Sequence, residues 1–179
     1  MANEKDKIEL LIKVFDNQQT LISNADTKAN IALSIQTFII TTILGASIIV
    51  GTFSNIATIN SYLKFLYYVL FALFLISSII GILISINVFK PRPPQEEKEI
   101  RRMGISYFGH IKTFNNSNEY FEEINKTELK DVIKEFAFQN FNLAHILHKK
   151  MTLVRHATTF LFVNIILGIT LLIFSIMTK

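Results

Sequence analysis

Three long apolar runs, at roughly residues 29–53, 63–89 and 157–177, constrain this chain more than any other feature. No Asp or Glu occurs between Thr27 and Gln95, and none from Phe136 to the C-terminal end. A helix needs about 20 apolar residues to cross the hydrocarbon core of a bilayer, and each run supplies them. Inside that core every backbone N–H and C=O must be satisfied within the span, so the runs are helices. The expectation is an all-α membrane protein with three transmembrane helices.

The charge balance bears on partners. The 179 residues carry 18 Lys/Arg and 14 Asp/Glu, a formal net charge of +4. Lys90–His156 holds 12 Lys/Arg against 9 Asp/Glu, a mixed solvated surface rather than a phosphate-binding stripe, which argues against nucleic acid as a partner. With no cysteine, disulfides, thiolate catalysis and cysteine zinc sites are excluded. With no Trp, interfacial anchoring falls to Tyr62, Tyr67, Tyr68 and terminal lysines. The first apolar run begins about 28 residues in. Gly45 and Ala46 come close to a small-residue cleavage site without making a convincing one, so no cleavable signal peptide is expected.

Basic residues set the expected topology. Lys5, Lys7, Lys13 and Lys28 precede the first run, and Lys90, Arg92, Lys98, Arg101 and Arg102 follow the second. Lys149, Lys150 and Arg155 precede the third. The positive-inside rule then places the N-terminus and the central segment in the cytoplasm, with Lys179 just outside. The expected organisation is a cytoplasmic part of helix 1 (1–28), transmembrane helix 1 (29–53) and an external loop (54–62). Transmembrane helix 2 (63–89), a cytoplasmic helical lobe (90–156) and transmembrane helix 3 (157–177) follow.

Periodicity extends two of the spans beyond the membrane. Ile8, Leu11, Ile12, Phe15, Gln19 and Ile22 recur at three and four, and no Pro or Gly interrupts residues 4–44. One helix therefore starts in the cytoplasm and becomes the first span, entering the membrane near Ser23–Thr27. Pro91, Pro93 and Pro94 end the second span, and Glu96–Arg102 reads as a short charged helix or linker. Tyr107-Phe108-Gly109-His110-Ile111 is an apolar turn, and Asn115–Asn118 a turn or helix cap. A short helix from Glu119 is expected to turn Tyr120, Phe121 and Ile124 inward. Leu129, Ile133, Phe136, Leu143, Leu147, Met151 and Val154 repeat helically with no Gly or Pro before Gly168. The last span is thus the end of a second long helix. The first and last helices extend into the small helical lobe and bury their stripes on each other.

The polar residues near these helices leave alternatives open. Asp26 and Lys28, at the membrane entry, form either an interfacial anchor pair or a ligand contact and latch. His110 is either a loop residue touching a base or phosphate, or part of a packing cluster. His145 and His148 share a helical face, but no adjacent carboxylate completes a metal site, and none is expected. Gln139, Asn140 and Asn142 interrupt the apolar stripe and need partners, for which Gln18, Gln19 and Asn24 are candidates. Ser34, Gln36, Thr37, Thr41 and Thr42 add polarity to the first span. Gln36, Asn87 and Asn164 are intramembrane amides that either glue helices together or line a water path. There is no glycine-rich phosphate loop, GxSxG or HExxH, so no enzyme constellation is expected.

Taken in order, several elements resemble the Pycsar transmembrane effector family. They are Ala25-Asp26-Thr27-Lys28-Ala29, the first two spans, Tyr107–Ile111, Glu119-Tyr120, and Gln139, Leu143, Ile146 and Lys149-Lys150 before the last span. The resemblance implies a multi-pass protein of the bacterial inner membrane that works in anti-phage defence by abortive infection. A partner pyrimidine nucleotide cyclase would supply a cyclic pyrimidine mononucleotide as activating ligand, with no other cofactor. The effector would then impair membrane integrity. Asp26, Lys28, His110, Gln139 and Lys149 cluster near the expected cytoplasmic face and are the candidate ligand contacts. Three spans cannot enclose a wide pore, so a homo-oligomer is expected. The alternative is a membrane effector or scaffold answering a cyclic oligonucleotide or a protein partner.

Overall fold

A computed structural model of the chain describes residues 3–49, 60–91, 105 and 108–177. Among them the regular structure is entirely helical: α1 Glu4–Ile49, α2 Ser61–Phe89, α3 Phe108–Ile111, α4 Ser117–Lys126 and α5 Leu129–Met177. The expected three spans are present, because α1, α2 and α5 are each long and apolar enough to cross a membrane. The uninterrupted α1 and α5 follow from the absence of Pro and of interior Gly before Gly45 and Gly168. At about 1.5 Å per residue, the 29 residues of α2 reach about 43 Å. Asn60 caps α2, its side chain accepting from the Tyr62 N–H at 3.2 Å. Residues 54–59 of the expected external loop, Arg92–Arg102 and Tyr107 lie outside the described residues.

The chain divides into two compact units, one of Met1–Asn24 with Pro91–Lys149, the other of Ala25–Lys90 with Lys150–Lys179. In the first unit, Phe15 meets Phe136 edge to face, ring centres 6.1 Å apart. Asn140 donates from Nδ2 to the Leu11 carbonyl at 3.0 Å, so its partner is backbone rather than another amide. Gln139 and Asn140 are both buried, while Gln19 and Asn24 face outward. On the outer face of α1, the Lys13 ammonium bonds to Glu9 at 2.6 Å and holds that carboxyl below its usual range.

Helix α4 starts at Asn116, whose side chain accepts from the Glu119 N–H at 2.9 Å. The Glu119 carboxylate returns to the Asn115 N–H and side-chain amide at 2.9 and 3.0 Å, a reciprocal cap. The expected inner face of this helix needs correcting. Tyr120 is partly buried and donates its hydroxyl to the Ile105 carbonyl at 2.7 Å, but Phe121 and Ile124 are exposed. Phe121 follows Tyr120 directly and so lies about 100° around the helix. A ten-residue helix cannot turn both rings to one side.

In the second unit the inward positions repeat every seven residues. On α1 they are Ala25, Ala29, Ala32, Gln36 and Ile43, and on α5 Lys150, Val154, Ala157, Asn164, Gly168, Leu171 and Ser175. That 3-4 alternation is the pattern of left-handed knobs-into-holes packing. Small residues bring the backbones close, as is usual where lipid removes the hydrophobic drive between helices. One cluster gathers Ala25, Ala29, Val88 and Val154, and another Ile43, Tyr67, Phe74 and Leu171. Tyr67 therefore turns inward, stacked on Phe71 and packed against Phe174, and is not an outward anchor. Tyr62 and Tyr68 remain exposed. The lipid-facing threonines are quiet: Thr37 and Thr41 donate to the carbonyls of Leu33 and Thr37, each at 2.9 Å.

Gly81 is fixed by the fully buried Gln36. A Cβ at Gly81 would sit 2.5 Å from Gln36 Nε2 and 3.0 Å from its Cδ. Gly81→Ala should lower the stability of the detergent-purified protein by about 1–3 kcal/mol, the usual cost of overpacking. Gln36→Ala removes the clashing amide, so the double variant should lose less than the sum of the single losses in a thermal-unfolding cycle. Strict additivity would contradict this contact.

Candidate functional site

Three polar features stand out among the described residues. The first is an open cleft of about 510 Å³ in the first unit. Thr127 and Lys126 come from the end of α4, Asp131, Lys134, Glu135 and Phe138 from the start of α5, and Ile105 and His110 from the segment around α3. The cleft exists because α4 stops at Thr127, where the chain turns into α5. His110 is held by aromatic packing: its ring meets Phe114 at 5.3 Å and Phe114 meets Tyr120 at the same distance. The Thr113 hydroxyl donates to the His110 carbonyl at 2.7 Å. His110 therefore packs in an aromatic cluster and also lines the cleft.

The chemistry of the cleft is mixed. Lys134 stands 3.7 Å from Asp131, and Lys126 3.6 Å from Glu122, both pairs largely exposed. Such solvated pairs contribute little, so their ammonium groups remain available to a competing anion. Glu123 and Glu135 add acceptors and Phe138 an aromatic face. Asp131, Glu123 and Glu135 give the lining three carboxylates against the two ammonium groups of Lys126 and Lys134. An anionic group could therefore be held only locally, at the lysines, with a flat ring against Phe138.

The second feature is the ion pair of Lys150 and Asp26 at the start of the second unit. Lys150 is 7% exposed and its ammonium bonds directly to Asp26 Oδ1. Asp26 lies beside Ala25 on α1, and Lys150 lies on the α5 stripe four residues before Val154. The pair therefore ties these two helices together. Lys28 and Lys149 both face outward. Of the two neighbouring lysines it is Lys150, and not the candidate Lys149, that is buried. The phase of the α5 repeat is the signal that singles out Lys150, because Val154 and Ala157 continue the same stripe.

The third feature is a polar layer in the second unit. Gln36 donates to the Ala157 carbonyl at 3.4 Å, and Ser85 donates to the Gly81 carbonyl at 2.9 Å. Asn164 is 1% exposed. Asn87 is exposed, two residues from the end of α2, and takes no part in the layer. Of the five candidate ligand contacts, then, His110 lines the cleft and Asp26 pairs with Lys150. Gln139 is buried in the first unit, and Lys28 and Lys149 face outward. No group of three His, Asp or Glu among the described residues could hold a metal.

Asp26→Ala should leave the buried Lys150 ammonium without its acceptor and cost about 1.5–3 kcal/mol, the range for a hydrogen bond to a charged group. Lys150→Met, which removes the charge and keeps the volume, should cost less. Thermal unfolding in detergent reads both, and equal losses would deny that the buried charge is the source.

Among known families, the family model described as the Pycsar effector protein domain matches residues 10–177 of the chain. No curated protein and no solved structure matches it.

Proposed function

The chain belongs to the Pycsar effector family, and from that premise we propose that it is an anti-phage membrane effector switched on by a cyclic nucleotide. The first unit is the sensor and the second the membrane-impairing part. The protein sits in the bacterial inner membrane with its N-terminus and lobe in the cytoplasm, where a partner pyrimidine nucleotide cyclase releases the signal. The observation that carries this reading is the cleft of about 510 Å³ in a chain whose other unit is apolar and membrane-sized. That volume falls in the range of about 300–1,000 Å³ usual for small-ligand sites.

A cyclic pyrimidine mononucleotide has a single phosphate charge and a flat base. In this reading Lys126 and Lys134 meet the phosphate, Phe138 supports the base, and His110 and Glu123 supply polar contacts. Asp26, Lys28, Gln139 and Lys149 remain proposed ligand contacts. Helices α1 and α5 each contribute residues to both units, so a change in the sensor has a covalent route to the membrane part. The ligand acts only through a difference in its affinity for the resting and active states. A three-helix unit has no wide lumen of its own, and membrane damage calls for several copies.

Calorimetric titration of the detergent-purified protein with cyclic CMP, UMP, AMP and GMP tests the reading. One pyrimidine ligand should bind at micromolar or tighter affinity. Lys126→Ala with Lys134→Ala should weaken it at least tenfold, which is about 1.4 kcal/mol, without unfolding the protein. Absence of heat with all four, on folded protein, would refute a cyclic mononucleotide as the signal.

A further inference from the structure

The polar layer of the membrane unit has a problem that its hydrogen bonds do not solve. Gln36 Oε1, Ser77 Oγ, Ser78 Oγ and both polar atoms of the Asn164 side chain are buried there without a hydrogen-bond partner. Gln36 is 0% exposed, Ser78 2% and Asn164 1%. Unsatisfied groups of this kind are rare in folded proteins, and a concentration of them calls for an unseen partner. Hydrocarbon offers none, so the need is greater in a bilayer than in water.

The register of the helices puts these groups side by side. A Cβ at Gly168 would lie 3.4 Å from Ile43 and 3.5 Å from Ile39, and Ala29 shares a cluster with Val154. Ile43 stands to Gly168 as Ala29 stands to Val154, so the same offset sets Ile39 level with Asn164. On α2, Gly81 lies against the Gln36 amide. Stepping three residues along α1 to Ile39 brings the antiparallel α2 to Ser78, with Ser77 beside it. Asn164, Ser77 and Ser78 therefore occupy one layer, and Gln36 the next. The surrounding Ala32, Gly81 and Ala157 are small. Apolar clusters close the layer on both sides, one at Ala25, Ala29, Val88 and Val154 and the other at Ile43, Tyr67, Phe74 and Leu171.

We propose that Gln36, Ser77, Ser78 and Asn164 form an internal hydration site in the membrane unit, in which bound water supplies the missing hydrogen bonds. Water suits this set because it both donates and accepts. Asn164 alone presents a two-donor amide nitrogen and an oxygen acceptor, and each hydroxyl can turn either way. A buried water usually makes about three hydrogen bonds to groups that lack protein partners. A metal ion fits less well, since the layer contains no carboxylate. The proposal rests on the membrane location of this unit and not on the nucleotide reading.

Water-edited solid-state NMR on isotope-labelled full-length protein in lipid bilayers, with no nucleotide added, tests it. The side-chain amides of Gln36 and Asn164 should receive magnetisation from water several-fold faster than the backbone amides of Ala29 and Phe74 in the flanking apolar clusters. Transfer as slow at the side chains as at those backbones would overturn the site. Asn164→Leu with Ser78→Ala, which fills the layer with apolar groups, should abolish the transfer at Gln36 and hold or raise the thermal midpoint. Unchanged transfer at Gln36 in that variant would also overturn the shared site. Ser78→Ala alone should reduce the transfer at Asn164, and it keeps the test valid should the double variant fail to fold.

Discussion

Hydrocarbon cannot accept a hydrogen bond, and the rest of this structure depends on that constraint. It makes the described parts of the three apolar runs, 29–49, 63–89 and 157–177, helical throughout. It also removes the usual hydrophobic drive for helices to associate, because lipid is as apolar as leucine. The helices are instead held by close packing at small residues and by a few polar contacts. Ala29, Ala32, Gly81 and Ala157 do the first, and the Gln36 amide on the Ala157 carbonyl the second. The same constraint makes each inward polar group expensive, so the positions of Gln36, Lys150 and Asn164 mark where function or specificity has been put.

Charge shows the same economy. Lys150 is a cation on a stripe otherwise occupied by Val154, Ala157 and their successors. Burying it without a partner would be costly, and Asp26 resolves that cost at one position on α1. An ion pair of this kind specifies register more than it adds stability. Sliding either helix by one heptad would set Asp26 opposite Ala157 and leave both charges unpaired in an apolar setting. Polar residues at core positions of coiled helices fix alignment in the same way. The pair therefore complements a seven-residue repeat that, being periodic, cannot choose its own register.

Much of the fold was legible because helices advertise themselves through periodicity and through the absence of breakers. The length of α1, the extension of α5 beyond its span and the cap near Asn116 were all readable from local sequence. What was not readable depended on rotation about a helix axis or on distant pairing. Tyr67 and Tyr68 are neighbours with the same chemistry, yet one is core and the other exposed. Lys149 and Lys150 differ in the same way. A residue step is about 100° on a helix, so adjacent positions have different fates, and composition alone does not choose between them. The phase of the repeat does choose, and it was available from Val154, Ala157 and Leu171. The cleft is a different matter. It gathers side chains from three elements, and only His110 among the sequence candidates lines it. Lys126 and Lys134 look in sequence like solvated helix charges, each within reach of an acid on its own helix.

The make-up of this interior bears on the membrane effect proposed for the protein. Most described inward positions of the second unit are apolar or small, and the outward positions carry Phe38, Phe65, Ile76, Phe162 and Ile166. Apolar clusters enclose the polar layer on both sides, so among the described residues a single copy of the bundle offers ions no continuous polar path. A path has to come from repacking that bundle or from joining several of them, and the two routes use different residues. Repacking draws on the polar layer, where Gln36, Ser78 and Asn164 would exchange buried contacts for a wetted surface. Joining draws on the lipid-facing rows, which are apolar apart from such exposed groups as Ser34, Thr37, Thr41 and Asn87. Either route starts from the few polar groups that the spans carry, since a lining able to pass ions has to be polar. Of the two buried zones, the layer around Asn164 holds the polar groups without partners, and the cluster of Ile43, Tyr67, Phe74 and Leu171 is mainly apolar.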